Sequence, residues 1–227
     1  MSGNSFGTFD RVVESLFRKI NPRKILDIGC GAGKYGELAK AVIPDTERIG
    51  IEIEETYIEK FRLRELYNEV RVGDAKKLLR NTISENYDLV ILGDSIEHMP
   101  KSAGLDILNF LTYRSQYILI LAPEYLIQHE LDGVAEEAHV SVWSEHDFAW
   151  HDRWAWDNCW SISLFLLRGY LQSDVDLQSI VESINIAQIP LTAEFSQRVV
   201  KHAELNMIAQ TRYHVNELGQ AFAFRPL

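Results

Sequence analysis

Cysteine and long apolar runs are both scarce in this chain. The 227 residues include only two cysteines, Cys30 and Cys159, which cannot form a disulfide framework and offer no paired-cysteine zinc motif. No apolar run is long enough to span a bilayer, and the N-terminus lacks the basic start and apolar stretch of a secretory signal. We therefore expect a cytoplasmic protein that does not contact a membrane.

Positive charge is also in deficit. There are 33 acidic residues against 23 lysines and arginines, which gives a formal net charge of -10. Such a field repels duplex nucleic acid, and no basic groove can be read from the sequence. We therefore expect a small-molecule partner and no nucleic acid.

Short apolar runs alternate with helical patterns in the first half of the chain. Strands are predicted at KILDIG, RIGIEIE, EVRV, YDLVILG and QYILILA. An amphipathic helix is predicted at 9–20, and further helices at 34–43, 56–67, 75–81 and 101–113. The apolar runs are typical of parallel strands buried on both faces, so the pattern predicts an α/β fold with helices on both sides of a parallel sheet.

The pattern changes after Pro123. Residues 124–142 are expected to be irregular, and all five tryptophans follow between Trp143 and Trp160. WSISLFLLRGY predicts one more strand, paired with residues 154–158. Beyond Leu171 two amphipathic helices are predicted, one with Leu177, Ile180, Val181 and Ile184, the other with Phe195, Val199, Ala203 and Met207.

A glycine-rich turn from Asp27 to Gly33 joins the first strand to the next helix. Glycine lets the backbone approach a ligand closely, and the helix N-terminus adds free N–H groups. Gly31, Gly33 and Gly36 also satisfy the dinucleotide motif G-x-G-x-x-G, with Glu52 about twenty residues further on as its ribose acid. On spacing alone, a dinucleotide therefore remains one of the cofactors that fit.

Three acidic positions favour a different cofactor. Asp27, two residues before Gly29, would repel a pyrophosphate and attract a cationic ammonium or sulfonium group. Asp74 follows the third strand, where its carboxylate can accept a hydrogen bond from an adenine amino group. Asp94 opens a polar segment after the fourth strand, at the edge where a doubly wound sheet presents ligands.

The segments ILDIGCGAGKYG, GIEIE, VGDA and YDLVILGDSIEHM resemble the successive motifs of class I S-adenosylmethionine-dependent methyltransferases. The resemblance covers residues 9–170 and implies a Rossmann-like seven-stranded sheet, mostly parallel, with the last strand antiparallel. We expect a methyltransferase domain at 1–171 and a helical extension at 172–227. The extension would pack on the same domain or on a partner subunit, which would make a homo-oligomer.

The resemblance also implies that the cofactor is S-adenosylmethionine and gives each motif a role. The turn that would hold its amino-acid part contains Asp27, Gly29, Cys30 and Gly31, with Cys30 expected only to fill space. The residues after the next three strands would hold the ribose, the adenine and the floor near the reactive methyl group, in that order: Glu52 and Ile53; Gly73, Asp74 and Ala75; Asp94 and Ser95.

Methyl transfer from a sulfonium mainly requires that the nucleophile be held in line and lose its proton. Glu97 and His98 are the first candidates, since some amine methyltransferases use a similar Glu-His pair, although the pair could instead anchor the loop. His139 is a second candidate base or acceptor contact. The tryptophans from Trp143 to Trp160 could line an aromatic pocket, but at least three of them are expected in the core.

No metal is expected from the sequence. Asp94 with Asp157 and Asn158 has the residue types of cation-dependent catechol-type methyltransferases, but the Asp-Asn pair lies too far beyond the fifth strand. The histidines and aspartates of residues 146–152 show no established ligand spacing. The leading hypothesis is methylation of an oxygen or nitrogen on a small molecule, with a sugar or a secondary metabolite as candidates. The alternatives are an NAD-dependent oxidoreductase and a non-catalytic S-adenosylmethionine-binding protein.

Overall fold

In the first half of the chain, short apolar runs form strands and the amphipathic segments between them form helices. The computed structural model describes residue 3 and residues 5–124, 126–193, 198–209, 213–215 and 221–223. The first five strands are β1 (Lys24–Ile28), β2 (Glu47–Glu52), β3 (Glu69–Val72), β4 (Tyr87–Gly93) and β5 (Ser115–Pro123). The helices around them are α1 (Asp10–Ile20), α2 (Lys34–Val42), α3 (Thr56–Lys60), α4 (Leu63–Leu66), α5 (Ala75–Arg80) and α6 (Lys101–Thr112).

The second half contains one helix and several short strands. A hairpin of β6 (Arg153–Cys159) and β7 (Ile162–Arg168) precedes α7 (Leu177–Ala187). The strands that follow are β8 (Pro190–Thr192), β9 (Val199–His202), β10 (Asn206–Ala209), β11 (Tyr213–Val215) and β12 (Ala221–Ala223). The predicted pairing of the two hairpin strands is confirmed, with Trp156 opposite Phe165.

The main sheet has eight strands in the order β10-β6-β7-β5-β4-β1-β2-β3. The five neighbouring strands β5, β4, β1, β2 and β3 pair in parallel, whereas β7 is antiparallel to β5 and to β6. The predicted Rossmann-like α/β fold is confirmed, with β10 as an eighth strand at the edge. The strand order reverses between β1 and β4, and a crevice for ligands forms at that point, outside the carboxyl ends of the strands.

Apolar side chains cover both faces of the sheet. On one face Phe17 of α1 and Ile180 of α7 belong to the same buried cluster. On the other face Leu108 of α6 packs in a second cluster with Trp143 and Phe148. Each such side chain contributes about 1.5–3 kcal/mol by leaving water. Among the described helices, none is both long and apolar enough to cross a membrane.

Two of the predicted helices differ from the structure. The helix predicted at 56–67 is split into α3 and α4, because Arg62 adopts a left-handed backbone with φ 52°. The first helix predicted after Leu171 is confirmed as α7, but the second is wrong: Val199 and Met207 lie on β9 and β10. β10 pairs with β6 and so satisfies backbone groups at the sheet edge, an interaction that helical periodicity does not reveal. Phe195, assigned to the same helix, lies outside the described residues.

Candidate active site

A cavity of about 290 Å³ lies at the carboxyl ends of the central strands. Six parts of the chain form its wall: the N-terminal segment, the turn after β1, the ends of β2 to β4, α3, the first half of α6, and the loop after β5. The predicted site residues that line it are Gly29, Gly31, Glu52, Ile53, Gly73, Asp74, Ala75, Asp94, Ser95, Glu97, His98 and His139. Asp27 and Cys30 are described by the structure but do not line this cavity. The topology therefore brings most of the predicted site together in one cavity.

The glycines after β1 are required by close contacts as well as by backbone conformation. Gly29 has φ 70°, and a Cβ there would lie 2.6 Å from the Cβ of Ser95. Gly31 has φ 49°, and its Cβ would lie 2.6 Å from the carbonyl oxygen of Gly3. The turn runs directly into the N-terminus of α2, whose first N–H groups have no partners within the helix. The turn therefore forms a cradle of bare backbone, which a single Cβ would fill. Such a cradle, with free N–H groups beside it, fits a bound cofactor.

Asp27 lies behind this turn. The side chain is 1% exposed, and its Oδ2 accepts a hydrogen bond from the hydroxyl of Tyr67. Burial is the main cause that raises the pKa of Asp27 to about 7, with a smaller contribution from the charge of Glu52. Oδ1 has no hydrogen-bond partner among the described residues. Cys30, also buried, packs with Tyr67 in a small cluster, which agrees with a space-filling role.

Glu52, at the end of β2, holds the turn in place. Its Oε2 accepts a hydrogen bond from the N–H of Gly31 at 2.7 Å, and its Oε1 accepts one from the N–H of Glu54 at 2.9 Å. Burial raises the pKa of Glu52, and these backbone hydrogen bonds act in the opposite direction. The acid that the sequence places at the ribose position therefore contacts both the turn and the cavity.

Asp74 is the N-cap of α5. Its Oδ1 accepts a hydrogen bond from the N–H of Lys77 at 2.9 Å. A capping carboxylate satisfies one of the free N–H groups of the first turn. The residue lies between Gly73 and Ala75, and all three line the cavity. Asp74 therefore both caps α5 and lines the cavity.

Asp94 fastens the N-terminal segment to the strand ends. Its backbone is left-handed with φ 50°, and its Oδ2 accepts a hydrogen bond from the N–H of Phe6 at 3.0 Å. The ammonium of Lys34 donates to the carbonyl of Phe6 and forms an ion pair with Asp10 at 2.5 Å. The carboxylate of Asp94 is therefore engaged by the protein itself.

Residues 3, 5 and 6 form a part of the cavity wall that sequence reasoning missed. The carbonyl of Gly3 accepts a hydrogen bond from the N–H of Ala32 at 2.7 Å, so the segment lies across the glycine turn. These residues carry no helical or strand period. The one hint in the sequence is Lys34 at the start of α2, whose ammonium requires an acidic or carbonyl partner nearby.

Glu97, His98 and His139 meet at the end of the cavity beyond Asp94. Glu97 is 1% exposed, and its Oε1 lies 4.0 Å from Nε2 of His98. The two imidazole rings are 4.8 Å apart between centroids, in an edge-to-face arrangement. Burial, followed by the charge of Asp94, raises the pKa of Glu97 well above its usual range. Burial also lowers the pKa of His98, which favours a neutral imidazole.

Each of the two histidines makes the same kind of contact through Nδ1. Nδ1 of His98 lies 3.2 Å from the carbonyl oxygen of Ala138, and Nδ1 of His139 lies 2.9 Å from that of Leu126. A carbonyl oxygen only accepts, so each Nδ1 carries the hydrogen and donates it. In a neutral His139 ring, Nε2 is then the atom with the free lone pair. The imidazole of His98 makes a second backbone hydrogen bond, with Asp94.

The loop that brings His139 to this group, residues 126–141, is named here the β5 loop. The N–H groups of Val140 and Ser141 donate to the carbonyl of Glu97, at 2.8 and 3.1 Å. The hydroxyl of Tyr57, in α3, donates to Oε1 of Glu137 at 2.6 Å. The β5 loop is thus tied at one point to the fourth-strand exit and at another to α3.

Most of the tryptophans belong to the core, as expected for at least three of them: Trp143 and Trp154 are buried, and Trp150 and Trp156 pack against the same cluster. All five are described residues, and none of them lines this cavity. Trp143 is fully buried, stacks with Phe148, and donates from Nε1 to Oγ of Ser141 at 2.8 Å. Trp154 is buried, whereas Trp160 is 67% exposed. The indoles after the β5 loop mainly build the core, because their ring area is best removed from water there.

Two of the metal ligands considered from the sequence, Asp157 and His151, are engaged in structural contacts. Asp157 accepts hydrogen bonds from the ammonium of Lys201 and from the N–H of Glu204. Nε2 of His151 lies 2.7 Å from the carbonyl oxygen of Arg168, inside the core. None of these residues is among the described residues of the cavity wall.

Comparison with known proteins places this geometry in a class. The family model described as a methyltransferase domain matches residues 25–110, which run from β1 into α6. No curated protein matches the sequence.

Solved structures share the fold. An O-methyltransferase family protein from Burkholderia thailandensis superposes with a TM-score of 0.53 at 12% identity, over 74% of this chain and 56% of that one. The N-terminal domain of EvdMO1, crystallised with SAH and D-fucose, gives 0.53 at 14% identity over 74% and 85%. The methyltransferase domain of bacterial CtHen1-C gives 0.54 at 14% identity over 71% and 96%. At these identities the likeness is one of fold.

Residues 25–110 match a methyltransferase domain, and the order of the strand-end motifs and the fold are those of class I S-adenosylmethionine-dependent methyltransferases. The cofactor is S-adenosylmethionine, as the motifs from Asp27 to Asp94 predict. The competing dinucleotide interpretation of the glycine turn is therefore set aside, and the chain is an enzyme.

Proposed function

We propose that this methyltransferase methylates an oxygen or nitrogen of a small neutral or cationic molecule, bound beside Glu97, His98 and His139. The observation that carries the proposal is a single cavity with the cofactor motifs at one end and these three side chains at the other. A cavity of about 290 Å³ is near the lower end of small-ligand pockets, which start at about 300 Å³.

The charge of the cavity wall supports this choice of acceptor. Among its described residues Lys76 is the only lysine or arginine, and its ammonium is 2.5 Å from Asp106. The carboxylate residues of the wall are Glu52, Glu54, Asp74, Asp94, Glu97, Glu136 and Glu137. An excess of this size repels phosphate groups, so a nucleic acid or a sugar phosphate is a poor acceptor.

For the cofactor end, we propose the roles that the motifs imply. Glu52 accepts from the ribose hydroxyls, Asp74 accepts from the adenine amino group, and Asp94 with Ser95 forms the floor near the methyl group. Asp27 stabilises the amino-acid part from behind the turn. When bound, S-adenosylmethionine supplies an electrophilic methyl group and a neutral leaving group.

At the other end, the chain must hold the acceptor atom in line and provide for its proton. Nε2 of His139 can accept a hydrogen bond from an acceptor O–H or N–H, because Nδ1 already donates to the main chain. His98 lies beside it, held by backbone contacts with Ala138 and Asp94. The β5 loop would enclose the acceptor, since Leu126, Gln128, Leu131 and Val134 line the same cavity. A sugar is one candidate acceptor, and D-fucose was present in a structure of the EvdMO1 domain. The cytoplasmic location and a homo-oligomer remain predictions.

The proposal is tested by measuring S-adenosylhomocysteine formation with a panel of acceptors by mass spectrometry. The panel contains neutral sugars, phenols and amines, with sugar phosphates and a short RNA as anionic counterparts. We expect turnover with at least one neutral or cationic class and none with the anions. Turnover confined to RNA or to a phosphorylated acceptor would contradict the proposal.

Variants then locate the acceptor end. Replacing His98 or His139 by Asn should lower turnover by about 10²–10⁴-fold while S-adenosylhomocysteine binding is kept. His146→Asn is the matched control, because that imidazole is exposed beside Glu145 and outside the cavity wall. If both site variants turn over at the wild-type rate, these histidines do not serve the acceptor.

A further inference from the structure

The three side chains at the acceptor end have the chemistry and the spacing of a metal site. One ligand atom from each of Glu97, His98 and His139 lies within 4.8 Å of the other two. Nitrogen and oxygen ligands about 2.1 Å from a metal ion lie about 3–3.5 Å apart. Side-chain shifts of about 1 Å would therefore bring these atoms to coordinating distance.

The contacts behind the histidines are those that a metal-binding imidazole requires. Both Nδ1 atoms donate to main-chain carbonyl groups, of Ala138 and Leu126. Such a contact fixes the ring and keeps Nε2 deprotonated, as in most histidine ligands. The imidazole of His139 is therefore oriented and in the correct tautomer before any ion arrives, and that of His98 is oriented by its backbone contacts with Ala138 and Asp94.

An independent observation comes from the carboxyl group. Glu97 is 1% exposed and lines the cavity, and its Oε2 has no hydrogen-bond partner among the described residues. An unpartnered buried carboxylate is costly, and an opposite charge in direct contact removes most of that cost. Among the described residues of the cavity wall, no lysine or arginine is placed to supply it, because Lys76 pairs with Asp106.

We propose that Glu97, His98 and His139 bind one divalent cation, with its remaining positions open to the cavity. Two imidazoles and a carboxylate suit ions such as Mn²⁺, Co²⁺ or Zn²⁺ better than Mg²⁺, which prefers oxygen ligands. This differs from the expectation drawn from the sequence, because the ligands are not spaced in any established motif.

The metal site specifies the proposed function further, because it selects the acceptor atom. This part of the proposal rests on the proposed function. A cation at this position lowers the pKa of a hydroxyl that reaches it, so the acceptor is an alcohol or phenol rather than an amine. The hydroxyl proton leaves to solvent, the oxygen lone pair forms the new C–O bond, and the C–S bond of the cofactor breaks to release neutral S-adenosylhomocysteine. The histidines then act as ligands and not as bases.

Mn²⁺ alone is the probe for the site. Chelator-treated protein is titrated with MnCl₂, free Mn²⁺ is followed by electron paramagnetic resonance, and ZnCl₂ is added as competitor. We expect a single site that Zn²⁺ displaces, weakened by more than about tenfold in Glu97→Gln and in His139→Gln. His146→Gln should bind Mn²⁺ like the wild type, because its imidazole is exposed and outside the cavity.

The result that overturns the proposal is wild-type protein that binds neither ion, or site variants that bind Mn²⁺ as the wild type does. Glu97 is buried, so His139→Gln, at a half-buried position in the β5 loop, decides the matter if Glu97→Gln does not fold. S-adenosylhomocysteine binding in the same variants reports whether the cofactor end is intact. Mn²⁺ binding without turnover of any alcohol would contradict the proposed function and leave the metal site standing, whereas chelator-insensitive turnover would do the reverse.

Discussion

The two ends of the cavity are built in different ways. At the cofactor end, the wall consists of strand ends and a glycine turn, held by the parallel pairing of β1 with β2 and β4. At the acceptor end, three side chains meet from a short 3-10 turn and from the β5 loop, and the loop is held by single hydrogen bonds. Close backbone approach requires particular residue types at fixed positions, whereas a cluster of side chains requires only that distant segments meet.

The largest effect should come from filling the glycine cradle. Gly29→Ala adds a Cβ at 2.6 Å from Ser95 to a left-handed backbone, and we expect a loss of about 2–6 kcal/mol in the free energy of unfolding. Gly133→Ala is the matched control: Gly133 has φ 81° in the β5 loop, and no atom of another described residue lies within 4 Å of its Cβ position. It should lose only the backbone part, about 1–3 kcal/mol. Equal losses in urea denaturation would show that the cradle is not tightly packed.

The next effect is a pH dependence from behind the turn. The pKa of Asp27 is raised to about 7, above its unfolded value, so the folded state holds this proton more tightly. Protonation therefore stabilises the fold in full below about pH 4, and this contribution is lost as the pH rises to about 7. Asn at this position still accepts from Tyr67 but does not titrate.

Between pH 5 and pH 8 the wild type should therefore lose about 2–4 kcal/mol more unfolding free energy than Asp27→Asn does. Urea denaturation of both proteins at the two pH values measures this difference. Parallel pH curves for the two proteins would mean that Asp27 titrates normally in the fold.

A smaller effect is expected at the ribose position. Glu52→Ala removes the acceptor for the N–H groups of Gly31 and Glu54, and S-adenosylhomocysteine binding should weaken by about 1–3 kcal/mol. Glu47→Ala, at the exposed opposite end of β2, should bind normally in the same calorimetric titration. NAD should bind to neither variant nor to the wild type. Unchanged affinity in folded Glu52→Ala would reduce Glu52 to a structural role.

The smallest effect concerns the tie between the two ends. Tyr57→Phe removes the hydroxyl that donates to Glu137 and should cost about 0.5–1.5 kcal/mol. Hydrogen exchange of residues 135–139 should accelerate, because the β5 loop loses its contact with α3. Tyr113→Phe, at a position that is 63% exposed, should leave exchange in that loop unchanged. Slow exchange in Tyr57→Phe would show that the main-chain contacts suffice to hold the loop.

The cofactor half of the molecule could be predicted from the sequence because it repeats one physical pattern. Strands β1, β2, β4 and β5 are mostly buried, and each candidate carboxylate lies at or just beyond a strand end, as Glu52, Asp74 and Asp94 do. Strand order then brings these ends to one edge of the sheet. Both the elements and most of their site residues follow from local information.

The remaining features depend on long-range contacts. Val199 and Met207 have helical spacing, but β10 satisfies its backbone hydrogen bonds by pairing with the edge strand β6. Residues 3, 5 and 6 reach the cavity only because Asp94 and Ala32 bind their backbone. The tryptophans follow the β5 loop in sequence, yet four of the five pack in or against the core, and Trp160 is exposed. None of these outcomes has a periodic signal in the residues concerned.

A crystal structure with S-adenosylhomocysteine bound tests the division of the cavity most directly. We predict that its ribose hydroxyls lie on Glu52 and that its sulfur lies beside Asp94 and Ser95, facing His98 and His139. At least one Nε2 atom should then lie within about 12 Å of the sulfur, the span that an acceptor atom and a short relay can bridge. A sulfur farther than this from both histidines, or a ligand outside the cavity, would contradict the account.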